Sequence, residues 1–175
     1  MKYKKGVILA ISCIIVLSSL LTGCIQQGTG TLVMKITDAP SDLNISEAMV
    51  SISSVMVHLG AGGNNTTAGW HTVVNESQTF DLIALQNVTD VLGEQELQAG
   101  NYTQIRLNID NANVTIDGVK HDLMIPSSTV KLVNAFKING SETTTLILDF
   151  DIHDSVHETG NNKYILQPTI RVIEE

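Results

Sequence analysis

Asp149, Asp151 and His153 alternate at the end of the run Glu142 to His153, and His157 follows four residues on. At period two, both carboxylates and the imidazole project from one face of an extended strand, in steps of about 7 Å. Ligand atoms so far apart cannot close on one ion by themselves, so a cation site here needs groups from neighbouring elements. Asp38 and His58, each near the end of another strand-like run, are the candidates to complete it. Oxygen ligands would favour calcium, whereas two imidazoles would favour zinc or copper. The competing reading needs no metal: Asp149 and Asp151 pair with Arg106, Arg171 or a lysine of the next strand. For Arg106 itself, Asp110 or Asp149 is the expected partner.

Other chemistries find little support. No Gly-x-Ser-x-Gly occurs, Ser127-Ser128 has no base nearby, and the zinc-protease and phosphate-loop patterns are absent. Gly60 to Gly69 lacks the lysine and following helix that would cradle a phosphate. A non-enzymatic role is expected, with metal binding as the alternative.

The elements that must position these residues read as strands. Glu142 to His153 puts Thr144, Leu146, Leu148, Phe150 and Ile152 on one face, so it should cross the middle of a core. Thr31 to Asp38 alternates around Leu32, Met34 and Ile36, and Met49 to Leu59 alternates with a bulge expected at Ser53-Ser54. Trp70 to Val74 returns from the Gly- and Asn-rich loop. Thr79 to Leu82 leads into a helical turn at Ile83 to Leu85, with Asp81 near its N-terminus. Gln86 to Gln98 carries no clear pattern.

Beyond it, Gly100-Asn101 reads as a turn, and Tyr102 to Asp110 as a strand with Tyr102, Ile105, Leu107 and Ile109 inward. Asp117-Gly118 joins Val114–Ile116 to Val119–Ile125 as a type I′ hairpin. Thr129 to Ile138 should form a hairpin with the central strand through Asn139-Gly140. After a turn at Glu158 to Asn162, one last strand runs from Lys163 to Ile173. About nine strands with at most one short helix imply an all-β, antiparallel β-sandwich, immunoglobulin-like or transthyretin/carboxypeptidase-regulatory-like, with a barrel as the alternative.

The N-terminus reads as an export signal. Lys2, Lys4 and Lys5 precede 16 uncharged, largely apolar residues, Gly6 to Leu21, and then Leu21-Thr22-Gly23-Cys24. This resembles the lipobox of lipoprotein signal peptides. The resemblance implies a signal peptide over 1–23, lipid on Cys24, a tether over 24–30 and one β-sandwich domain over 31–175. An uncleaved anchor or a simple secretory peptide is the alternative. The location expected is the extracytoplasmic face of a cell membrane, and with Cys13 removed and Cys24 lipidated the mature domain keeps no free thiol.

Lost leader lysines leave seven Lys and Arg against 18 Asp and Glu. That acidic balance disfavours nucleic acid and is compatible with cations or with plain solubility. The pattern Asn-x-Ser/Thr occurs at Asn44, Asn64, Asn65, Asn75, Asn87, Asn101, Asn113 and Asn139, eight of 13 asparagines. Chance at this Ser and Thr content gives about two, so glycosylation and, with a lipobox, an archaeal host are expected. A Thr- and Asn-rich β-protein that makes such triplets by composition is the other explanation.

Several phrases together, Thr37-Asp38-Ala39-Pro40, Thr79-Phe80-Asp81-Leu82, Ala99 to Leu107, Leu148-Asp149-Phe150-Asp151 and Pro168 to Val172, with the His58 and Trp70 region, resemble the domain of unknown function 4382 family. Gly100 to Tyr102 is similar to a phrase of carboxypeptidase-regulatory and transthyretin-like sandwiches. The resemblance implies a lipid-tethered surface β-domain of bacteria or archaea without an established activity. A structural, adhesion or ligand-binding role follows, with a surface glycan or envelope protein as the partner.

Overall fold

The computed structural model describes residues 28–39, 44–61 and 68–175. Residues 1–23, expected to be a signal peptide, Cys24, most of the expected tether, Asn64 and Asn65 lie outside the described residues. The strands are β1 (Thr29–Asp38), β2 (Ile45–Leu59), β3 (Gly69–Val74), β4 (Gln78–Asp81), β5 (Asp90–Gln98), β6 (Gly100–Ile116), β7 (Val119–Met124), β8 (Thr129–Leu132), β9 (Phe136–Ile138), β10 (Thr143–Asp151), β11 (Val156–Gly160), β12 (Lys163–Leu166) and β13 (Thr169–Glu174). A 3-10 turn spans Ile83–Leu85, and α1 is the single turn Ile152–Ser155.

Alternation explains the two layers. On β1 and β10 the even residues Leu32, Met34, Ile36, Leu146, Leu148 and Phe150 are all buried. They meet Val50, Ile52, Val55, Val57 and Leu59 of β2 and Tyr102, Ile105, Leu107 and Ile109 of β6 in one core cluster. The narrow sheet has order β13-β10-β1-β5, and the wide sheet β11-β12-β7-β6-β2-β3, with β4 also on β2 and β8 and β9 also on β6. The fold is thus the expected all-β sandwich, with thirteen strands among the described residues rather than about nine.

Two pairings depart from a purely antiparallel arrangement. β1 runs parallel to β10, with Asp38 opposite Phe150, and β7 runs parallel to β12. Both sheets are therefore mixed.

The local turn chemistry behaves as the residues dictate. Asp117 and Gly118 take φ of 49° and 77°, the left-handed pair that a type I′ hairpin between β6 and β7 requires. The β2 register shifts between Ile52 and Ser54, at the expected bulge. Asp81 Oδ1 accepts from Ile83 N at 3.2 Å and from Ala48 N at 3.0 Å, which holds the 3-10 turn against β2.

Five expectations are corrected. β10 ends at Asp151, because Asp151 caps α1 and turns Ile152 and His153 out of the strand. β9 does not form a hairpin with β10: Phe136 and Ile138 pair with β6, so the chain changes sheet across Asn139-Gly140. The last strand is broken at Gln167-Pro168, since proline cannot donate to a ladder, and its halves join different sheets. Gly100-Asn101 opens β6, which runs unbroken for 17 residues, and the turn lies at Ala99. Asp90–Gln98 and Val156–Gly160, expected to be irregular or turn, are strands at the edges of the two sheets.

Candidate functional site

The C-terminal ends of β1 and β10 bring three of the five candidate metal ligands together, on opposite faces of the narrow sheet. Asp38 points inward and is 2% exposed. Its Oδ1 accepts from Ile152 N at 3.0 Å and its Oδ2 from Gln86 Nε2 at 3.4 Å, so it ties α1 and the segment after the 3-10 turn to β1. Burial pushes its carboxyl from 3.8 up to about 6. The two hydrogen bonds oppose the rise, and the charges of Asp151 and Asp149 add to it.

Asp149 lies on the outer face, where its register partner Arg171 reaches it at 2.8 Å. This is one of the metal-free pairings the sequence allows. Asp151 Oδ1 accepts from Asp154 N at 3.0 Å and so acts as the N-cap of α1. His153, exposed on α1, contacts Asp154 Oδ1 through Nδ1 at 3.1 Å. One ligand atom from each of Asp151, His153 and Asp154 falls within 4.8 Å of the others. Asp154 is a member that strand reasoning missed, although Asp151 followed three residues on by an acid is a visible helix-start signal. His157 sits apart on β11.

His58 does not join this group. It lies on β2 in the wide sheet, on the outer face between buried Val57 and Leu59. There it forms a second cluster. His58 is opposite Trp70 of β3 and Gln104 of β6, and its ring meets the indole edge-on at 4.9 Å. The Arg106 guanidinium lies 4.0 Å over the Trp70 ring, and its Nε donates to Gln104 Oε1 at 3.2 Å. Thr103 Oγ1 contacts His58 Nδ1 at 3.2 Å.

Arg106 therefore stacks on an aromatic instead of pairing with Asp110 or Asp149. Asp110 accepts from Ser53 Oγ at 2.8 Å, and Asp149 holds Arg171. Lys131 of β8 is the register partner of Arg106, so two cations adjoin on this face. Among the described residues neither has an ion-pair partner. Only the alternation of β2, β3 and β6 hinted at this group, because its assembly depends on cross-strand register that no single segment encodes.

Of the described Asn-x-Ser/Thr asparagines, Asn44, Asn75, Asn87, Asn101 and Asn139 are exposed. Asn113 is half-buried, with its Oδ1 shut away from solvent.

The fold and these clusters define a two-sheet, all-β domain with a carboxylate-rich narrow sheet and an aromatic and cationic patch on the wide one. The chain belongs to the family described as Domain of unknown function (DUF4382), whose model matches residues 29–168. No curated protein and no solved structure matches it.

Proposed function

We propose that this chain is a non-enzymatic surface module, held at the extracytoplasmic face of a membrane by lipid on Cys24, that binds a carboxylate-bearing partner on the outer face of the wide sheet. The observation that carries the reading is Arg106, stacked on Trp70 and free of any carboxylate among the described residues. A guanidinium held over an aromatic loses little freedom on binding, and its planar fork fits a carboxylate with two hydrogen bonds. His58, Gln104 and Lys131 border it with further donors. Partners of this chemistry at a cell surface are an acidic glycan or an acidic segment of an envelope protein.

Trp70 is the only tryptophan of the chain, so its emission reports on this face. Titration with envelope polysaccharide or envelope protein should give a saturable emission change, lost in Arg106→Gln. No change with either removes the reading. Cys24→Ser should release the domain or leave the leader uncut, and unchanged membrane retention with normal processing removes the lipid. The five exposed Asn-x-Ser/Thr asparagines support glycosylation in an archaeal host, and the mass of the native protein tests it.

Metal binding is the second reading, favoured by the convergence of Asp151, His153 and Asp154. The cap bond to Asp154 N and the His153–Asp154 contact each use one atom of these side chains, which leaves a second oxygen or ring nitrogen on each for an ion. Calorimetry of chelator-treated protein with calcium, zinc and copper decides it, and absence of heat with all three leaves the capping role alone.

A further inference from the structure

A second group of cations on the wide sheet lines a concave site separate from the Trp70 patch. Lys120, His121, Asp122 and Met124 of β7, Asn162 of the turn before β12, and Lys163 and Tyr164 of β12 line a cavity of about 330 Å³. That size is at the lower end of small-ligand pockets, which run about 300–1,000 Å³.

Three features give the cavity its chemistry. Of the ten Lys and Arg of the chain, seven fall among the described residues, and two of those seven line this cavity. Among the described residues neither Lys120 nor Lys163 has an ion-pair partner, whereas Lys35 and Arg171 both do. The His121 and Tyr164 rings pack at 4.8 Å and a 58° tilt, giving a half-buried aromatic wall with polar tips. Asp122 and Asn162 add acceptors and an amide to the rim.

A bare anion would be drawn by the lysines and repelled by Asp122. A molecule carrying both a carboxylate and hydroxyl groups suits the lysines and the acceptors together. Its carboxylate meets the ammonium pair, its hydroxyls donate to Asp122 and Asn162, and its C–H face packs on Tyr164. We infer that this cavity is a binding site for an acidic sugar residue of the hexuronate type. The inference is independent of the proposal for Arg106, because the two groups share no residue.

The test is calorimetric titration of the full-length protein in detergent with trigalacturonate, maltotriose and sodium sulfate. Trigalacturonate should bind at one site per chain, with affinity falling as sodium chloride rises and at least tenfold weaker in the double variant Lys120→Ser, Lys163→Ser. Maltotriose and sulfate should give no saturable heat, and the lysine-dependent binding should persist in Arg106→Gln, whereas any occupancy of the Arg106 patch reports separately through Trp70 emission. Both lysines are exposed, so the double variant should fold; the salt dependence of the wild type gives a reading that needs no variant. Four results overturn the assignment: no heat with trigalacturonate; equal binding of maltotriose; equal binding of sulfate, which would mean that the site reads charge alone; or trigalacturonate binding that survives the double variant and is lost in Arg106→Gln.

Discussion

The two sheets share one core but treat charge in opposite ways. On the strands of the narrow sheet seven carboxylates stand against two cations. Both cations are ion-paired, Lys35 with Glu175 and Arg171 with Asp149, each at 2.8 Å. On the strands of the wide sheet five carboxylates stand against five cations, Arg106, Lys120, Lys131, Lys137 and Lys163, and no ion pair holds any of these among the described residues. The strands of the wide sheet are thus formally balanced, and the negative charge is concentrated on those of the narrow sheet. The narrow sheet uses its cations internally, and the wide sheet presents its own to solvent.

The narrow sheet should therefore be the structural half, and the most damaging change should fall there. Phe150 lies at the middle of the core, 1% exposed, opposite Asp38 on the parallel neighbour. Phe150→Ala should cost about 3–5 kcal/mol in urea unfolding. A loss below about 1 kcal/mol would place the core elsewhere.

Asp38 gives the next effect and a pH signature. Its carboxyl titrates at about 6 in the fold against 3.8 for the free group, chiefly through burial. The fold thus favours the neutral form, so this contribution to stability is complete below about pH 4 and is lost as pH rises through 6. The shift corresponds to roughly 3 kcal/mol at most. Asp38→Asn keeps an oxygen for Ile152 N–H and removes the charge. It should be more stable than the wild type above pH 7, with the gain vanishing near pH 4. Unfolding curves at several pH values check this, and a difference that does not vary with pH contradicts it.

How much of this was legible in the sequence depends on how local the deciding interaction is. The inward residues of β1, β2, β6 and β10 and the Asp117-Gly118 hairpin could be read because alternation and φ preference act within a few residues. Asn139-Gly140 looks like hairpin chemistry just as Asp117-Gly118 does. Yet the strand before it finds its partner in β6 and the strand after it in β1 and β13, and only the whole core decides that. The site divides in the same way. Asp149–Arg171 was among the pairings foreseen, whereas His58, Trp70 and Arg106 meet through the registers of three strands. His153 was misplaced because a one-turn helix capped by Asp151 interrupts the alternation, and Ile152 mimics one more inward strand residue.

The contrast between the two arginines can be measured directly. Arg171→Gln leaves the Asp149 carboxylate, 8% exposed, without its partner and should cost about 1–3 kcal/mol. Arg106→Gln removes a cation–π contact, about 0.5–1 kcal/mol, and a hydrogen bond to the neutral Gln104, and it leaves no buried charge unpaired. Denaturant midpoints of both variants separate the roles. If Arg106 proves the costlier of the two, the wide sheet is no less structural than the narrow one.

The smallest effect tests whether the outer face of the narrow sheet is open to water. Lys35 and Glu175 are 28% and 51% exposed, so high dielectric and side-chain entropy should hold their coupling to about 0.2–1 kcal/mol. Salt should shrink it further, since the screening length falls from about 10 Å at 0.1 M to about 3 Å at 1 M. A double-mutant cycle of Lys35→Ala and Glu175→Ala at both salt concentrations reads this coupling. The pair spans the row in which Lys35 lies opposite Val91 and Ile147, and Ile147 lies opposite Ile173, with Val91 and Ile173 54% and 45% exposed. A coupling above 1 kcal/mol that ignores salt would mean that this row is shielded in solution. The narrow sheet would then be a contact surface too, and the division between a structural and a presenting sheet would fail.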